Sequence, residues 1–508
     1  MSIYSMRRER NKQTLRKYIS YSVLAMAFLI PLSPYFATIA LIVGIALTAL
    51  RFIFHRKLKF TALPLDTPIL IFAVISLLSC LVSPDKFFSF YNCTHTLGIY
   101  ILVYILAGQN IEDGEDMKRL LLAISAGFLV SVLYGFYQAL FGISASDITW
   151  VDPEAFPELK KRIFSTWENP NIFAGYLAMM LSLFLGLFAK SKVSKEKAIY
   201  IGLIIAGAVA MMLTYSRGAM LSVFAVFLIF GIFYDRRIIF ASVLAAICFL
   251  AINPLMLERV ASVFTTVDTS TEMRFAFYEA TVAMIEDHPM LGSGWGAYFM
   301  AYPEYDFYMQ GAPIKIVHAH NIYLNYAAEV GIIGALAFFW FFFGSMKLAF
   351  AGKSENDGEK FDETYTEEIQ NTQEEPAVTK KKELLPQSRT KLAKISEFLA
   401  LLNLIGEKKA EEETYETSSD KVVPENPPDT ETVEEKAEEW HFNFEEFRKE
   451  PIFKDTDSIS RGLSLGIGLA FLSVALNGLF DDLLFNIPTS MFLWLLAALA
   501  AKNYCIRQ

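Results

Sequence analysis

Residues 170–189 read PNIFAGYLAMMLSLFLGLFA, twenty positions without a charge, and the next eight, Lys190-Ser191-Lys192-Val193-Ser194-Lys195-Glu196-Lys197, hold four lysines. About 20 apolar residues carry an α-helix across the hydrocarbon core of a bilayer, and short lysine- or arginine-rich connections mark its cytoplasmic side. Working outward, about twelve such stretches emerge: 18–33, 35–54, 66–83, 88–108, 118–141, 170–189, 197–214, 217–233, 237–252, 321–350, 460–479 and 488–504. The first is not followed by a small-residue cleavage pattern; Pro31 and Pro34 lead straight into the next span, so it reads as a retained helix rather than a signal peptide.

Composition agrees. Of 508 residues, 54% are hydrophobic and 19% charged, which excludes a soluble globular protein. The formal charge of -9 hides an asymmetry: residues 353–455 carry 28 Asp and Glu against 15 Lys and Arg, so the remainder is net positive. The four cysteines, Cys80, Cys93, Cys248 and Cys505, lie in or beside apolar segments without metal-ligand spacing. Nothing in the chain calls for a nucleic-acid partner.

The basic N-terminus, from Arg7-Arg8-Glu9-Arg10 to Arg16-Lys17, is expected inside, and the even-numbered connections then fall inside with it. These include Arg51–Lys59, Lys190–Lys197 and Asp235-Arg236-Arg237. The expected organisation is a cytoplasmic N-terminus (1–17), nine spans (18–252), a large outer loop (253–320), a tenth span (321–350), an acidic inner insertion (351–459) and two last spans ending in a short inner C-terminus (460–508). The insertion, rich in Glu, Lys, Thr and Pro, reads as mostly disordered. Within it Leu392, Ile395, Leu399, Leu402 and Ile405 recur at helical spacing behind Arg389, Lys391 and Lys394, as in an interfacial helix touching membrane lipids.

Polar groups collect in the connections left outside. Arg217, in Thr214-Tyr215-Ser216-Arg217-Gly218, reads either as a snorkelling anchor or as a guanidinium at the bundle mouth able to grip a phosphate. Arg274 precedes an apolar stripe of Phe275, Tyr278, Val282 and Ile285, as on a surface helix. Gly292-Ser293-Gly294-Trp295-Gly296 has neither the preceding strand nor the following Lys-Ser/Thr of a nucleotide loop. His318-Ala319-His320-Asn321 opens the tenth span, where Asn321, Asn325 and Glu329 share a helical face expected to look inward. His318-x-His320 suggests a metal only weakly, because no nearby carboxylate or third histidine completes the set; His320 also suits a proton acceptor. Arg162 stands before Asn169-Pro170-Asn171, where Asn169 caps the helix, and Asp481 and Asp482 occupy the tip between the last two spans.

His320-Asn321, nine residues, then Gly331-Ile332-Ile333-Gly334 resembles the His-Asn/Ser/Gln-x9-Gly-x-x-Gly pattern of the O-antigen ligase and polysaccharide polymerase superfamily. Thr214 to Gly218, Arg274 with Asp287-His288-Pro289, and Asp481-Asp482 add to the likeness, whereas the insertion of roughly 100 residues departs from it. The resemblance implies an all-α polytopic membrane protein of GT-C type with an outward-facing active site, needing neither metal nor cofactor. It implies a donor glycan on undecaprenyl pyrophosphate and an acceptor hydroxyl on a glycan, lipid or protein. Arg217 and Arg274 would hold the pyrophosphate and His320 would take the acceptor proton, with inversion. Arg162, His318, Asn321 and Asp481 or Asp482 would contact substrates. The competing readings are a transporter of a small anion such as bicarbonate, and a scaffold working through the acidic insertion.

Overall fold

The computed structural model describes residues 3–54, 60–142, 162–252, 269–306, 316–351 and 452–508. Among them there is no strand, and helices lie at all twelve apolar stretches. In chain order these are α1 (Ile3–Leu29), α2 (Pro34–Phe54), α3 (Asp66–Ser79), α4 (Lys86–Asn110), α5 (Gly114–Phe141), α6 (Pro170–Lys190), α7 (Ser194–Thr214), α8 (Arg217–Phe233) and α9 (Arg236–Ile252). After α10 (Thr269–Asp287), which belongs to the large loop, come α11 (Ile322–Phe350), α12 (Thr456–Asn477) and α13 (Ile487–Arg507). Eight are long and apolar enough to cross a membrane, and α3 and α8 are apolar but shorter. The third stretch, expected to reach residue 83, stops at Ser79, with Cys80 as its C-cap and a turn leading to Pro84. Residues 352–451, including the candidate interfacial helix from Arg389, lie outside the described residues.

Helix starts carry the side chains that a low-dielectric surrounding demands. The unpaired first-turn N–H groups of α4, α5, α6, α12 and α13 donate to Asp85, Asp113, Asn169, Asp455 and Asn486. In α6 the expected pairing of an Asn169 cap with Pro170 in the first turn is found. This helix is buried along nearly its whole length, with α12 against it. A Cβ on Gly186 would stand 2.1 Å from the backbone N of Gly466, so the two backbones touch, the close approach that small residues allow between membrane helices. Between α12 and α13, Asn503 Nδ2 donates to the Ser460 carbonyl and to Ser464 Oγ, both at 2.7 Å.

The helix ends sort into two groups. At one end Glu112 meets Arg16 at 3.1 Å and Arg51 at 2.8 Å, and the Phe453 N–H donates to Glu196 Oε1 at 2.6 Å. That last bond fastens the chain where it returns from the insertion to the start of α7. At the opposite end α7 and α12 finish, and α6, α8, α11 and α13 begin. All the candidate site residues lie there.

Candidate active site

The entry to α11 is built by local hydrogen bonding. Asn321 has extended backbone, and its Oδ1 accepts the N–H groups of Tyr323 (2.9 Å) and Leu324 (3.1 Å), so it is the helix cap. Its Nδ2 donates to the Leu479 carbonyl at 3.2 Å, and the Ile322 N–H to that of Gly478 at 2.9 Å, joining this turn to the tip that follows α12. His320 takes a left-handed conformation, φ 50°, which costs a non-glycine residue energy unless its surroundings hold it. They do: the His320 N–H donates to His318 Nδ1 at 3.1 Å, and Tyr278 Oη donates to the His320 carbonyl (3.2 Å) and the Leu479 carbonyl (3.1 Å).

The tip brings Asp481 to this turn. His320 Nδ1 lies 3.0 Å from Asp481 Oδ1, which also accepts the Asp482 N–H at 3.0 Å. Burial alone raises a carboxyl, but the hydrogen bond from His320 and the positive field that includes Arg274 outweigh it and hold Asp481 well below the usual carboxylate range. Facing an ionised carboxylate, Nδ1 carries the proton and Nε2 is left as the acceptor. The Phe277 ring stacks on His320 at 5.6 Å. Phe277 and Tyr278 sit one turn after Arg274 on α10, whose charge acts on Tyr278, His318 and Asp481.

His318 and Asp482 have other surroundings. His318 is 5% exposed, its ring 4.2 Å from Phe485 and 4.1 Å from His320, and burial with the charge of His320 pushes its pKa down to about 3. Its Nδ1 accepts the His320 N–H, so the neutral ring of His318 lies directly against His320. Asp482 is 1% exposed and caps the turn Leu483–Phe485 through the Leu484 N–H; burial pushes its carboxyl up to about 7. Of the two aspartates that the sequence leaves equivalent, Asp481 faces the histidine.

Arg217 is the first residue of α8, and a Cβ on the adjoining Gly218 would stand 3.7 Å from Phe480 Cβ, which places this helix start beside the tip. The turn before it has Tyr215 in left-handed backbone, φ 53°. Arg162 braces that turn: its Nε donates to the Thr214 carbonyl at 2.7 Å and its Nη2 to Asn171 Oδ1 at 2.6 Å. These bonds give Arg162 a framework role one step behind Arg217.

Three expectations need correction. Of Asn321, Asn325 and Glu329, only the last two keep the inward face: Asn321 is the cap, whereas Asn325, which is buried, accepts the Ala319 N–H at 3.1 Å through Oδ1 and Glu329 Oε2 accepts the Gly296 N–H at 3.0 Å. Helix α11 is broken at Gly331, φ 72°, and the glycine-rich turn fills the break. Ser293 N–H donates to the Ala328 carbonyl (2.8 Å), Gly294 N–H to that of Glu329 (2.9 Å), and Ile332 N–H to that of Pro289 (2.8 Å). On α10 the buried face is Phe277, Ala280 and Met284, while Phe275 and Val282 are exposed; both sets have helical spacing, and packing on Tyr298 and Tyr302 selects the first. Finally, a carboxylate does stand beside the histidines: one ligand atom each from His318, His320 and Asp481 lie within 4.8 Å of one another.

A Cβ at Gly331 would lie 2.2 Å from the Met290 carbonyl oxygen, in backbone that L side chains rarely adopt. Gly331→Ala is therefore expected to destabilise the protein by about 1–3 kcal/mol, read as a lower unfolding temperature in detergent. An unchanged transition would contradict the plug.

Residues 201–339 match the family model of the O-antigen ligases. The match runs from α7 past the break in α11 and takes in Arg217, Arg274, His318, His320 and Gly331, while Arg162, Asp481 and Asp482 lie beyond it. It supports the O-antigen ligase and polymerase superfamily for this chain, a family of ligase- or polymerase-like glycan transfer, and with the apolar helices an integral membrane protein. No curated protein matches the chain.

Proposed function

We propose that this ligase-like protein moves a glycan from undecaprenyl pyrophosphate to an acceptor hydroxyl on the outer face of the bacterial cytoplasmic membrane, with inversion and without a metal. The observation that carries the reading is His320 Nδ1 at 3.0 Å from Asp481, on which the charge of Arg274 also acts. His320 Nε2 takes the proton of the acceptor hydroxyl, whose oxygen attacks the anomeric carbon as the bond to the pyrophosphate oxygen breaks. Negative charge grows on the departing undecaprenyl pyrophosphate, and Arg217 and Arg274, placed before the reaction, meet it. Asp481 keeps His320 in the tautomer with Nε2 unprotonated and stabilises the imidazolium that forms.

The test uses full-length protein in liposomes with undecaprenyl-pyrophosphate-linked glycan and a panel of glycan, lipid and protein acceptors. Glycan transfer and release of undecaprenyl pyrophosphate without nucleotide sugar are expected. Uptake of bicarbonate with no transfer to any acceptor would overturn the reading in favour of a transporter.

Two further results are expected. With the native cysteines replaced, Asp420→Cys should resist a membrane-impermeant maleimide in intact cells, because only an inner insertion keeps the basic short loops inside; labelling there would invert the topology. Deleting residues 354–388 and 407–451, which spares Phe453 and the Asp455 cap, should leave transfer within about an order of magnitude of wild type, since a segment rich in charge and poor in apolar residues supplies no chemistry across the membrane. Complete loss by an inserted, stable protein would make the insertion part of the machinery.

A further inference from the structure

The pair that accepts a proton has a second property. Two imidazoles and a carboxylate are the mixed nitrogen and oxygen set that suits zinc and its neighbours in the first transition row, whereas magnesium and calcium prefer oxygen alone. In a tetrahedral shell with bonds of about 2.0–2.1 Å, adjacent ligand atoms are about 3.3 Å apart. The atoms of His318, His320 and Asp481 already lie within 4.8 Å of one another, and His320 with Asp481 at 3.0 Å. Their framework is firm. Tyr278 holds the His320 carbonyl, Asn325 the Ala319 N–H, and Leu484 and the Asp482 amide fix the tip, with Phe277 and Phe485 as apolar walls. The His320 side chain is 31% exposed, which leaves an approach for an ion and an open fourth position for water.

We propose that His318, His320 and Asp481 bind a zinc-type divalent ion, and that the bound ion switches the site off. The binding half stands on the ligand geometry; the inhibitory half rests on the proposed function. In the active arrangement the Nδ1 proton of His320 points at Asp481 and Nε2 holds the lone pair. An ion seated between Nδ1 and Asp481 displaces that proton to Nε2, which becomes a donor. The acceptor hydroxyl thereby loses its base. Arg274, whose charge acts on His318 and Asp481, opposes a second cation, so the ion and the arginine act against each other.

The experiment uses untagged full-length protein in nanodiscs, titrated with Co(II), whose visible absorption reports nitrogen and oxygen ligation. One Co(II) per chain is expected, displaced by Zn(II). His318→Ala and Asp481→Ala should each weaken binding more than about tenfold, and Arg274→Gln should tighten it. Zn(II) should stop glycan transfer by the wild-type protein, and EDTA should restore it. No stoichiometric binding, or binding unaffected by the first two substitutions, would overturn the site; transfer that rises with Zn(II) would overturn the switch. Transfer retained in His320→Ala would instead overturn the proposed base, whatever Co(II) shows.

Discussion

Replacing His320 by alanine is expected to lower turnover by about 10² to 10⁴, the usual contribution of a positioned general base, while donor binding persists. The residue reaches its place only because an unfavourable left-handed backbone is held by His318 Nδ1 and Tyr278, and because Asp481 fixes the ring. Alanine leaves the Asn321 cap and the join to Leu479 intact, so insertion and stability should survive. Transfer rate and donor affinity, measured together, separate loss of the base from loss of the fold. Near-wild-type turnover would remove the assignment.

The second large effect is at Arg217. Arg217→Lys keeps a positive charge but loses the planar fork that matches a pyrophosphate, and losing one such donor typically costs about 10² to 10³ in rate. Arg217 begins α8 beside the tip that carries Asp481, a place set by the Tyr215 turn and the brace of Arg162. Because the lysine variant retains the helix and the turn, its loss should appear in turnover with normal membrane insertion. A variant as active as wild type would reduce Arg217 to an anchor.

The helices were legible because a crossing segment must satisfy its backbone internally and present apolar side chains to lipid, which leaves long uncharged runs in the chain. The cap at Asn169, ahead of Pro170, was equally local. What escaped depended on a partner far away in sequence. The break at Gly331 is silent in hydropathy, since the apolar run continues through it, and only the glycine-rich turn, some 40 residues earlier, reveals why the backbone must turn there. The face of α10 was ambiguous because two apolar rows have helical spacing and a third element chose between them. His320 and Asp481 are 161 positions apart, so neither their contact nor the difference between Asp481 and Asp482 was visible. Even so, the convergence of arginines, histidines and aspartates on one end was readable from loop charge alone.

The central claim, that His320 and Asp481 act as one unit, is tested most directly by single-turnover glycan transfer in His320→Ala, Asp481→Asn and the double variant. Groups that work as a unit are strongly non-additive. The double variant is expected to be no slower than His320→Ala, because an orienting carboxylate has nothing to orient once the imidazole is gone. Losses that multiply, with the double variant slower by the product of the two single effects, would contradict the account.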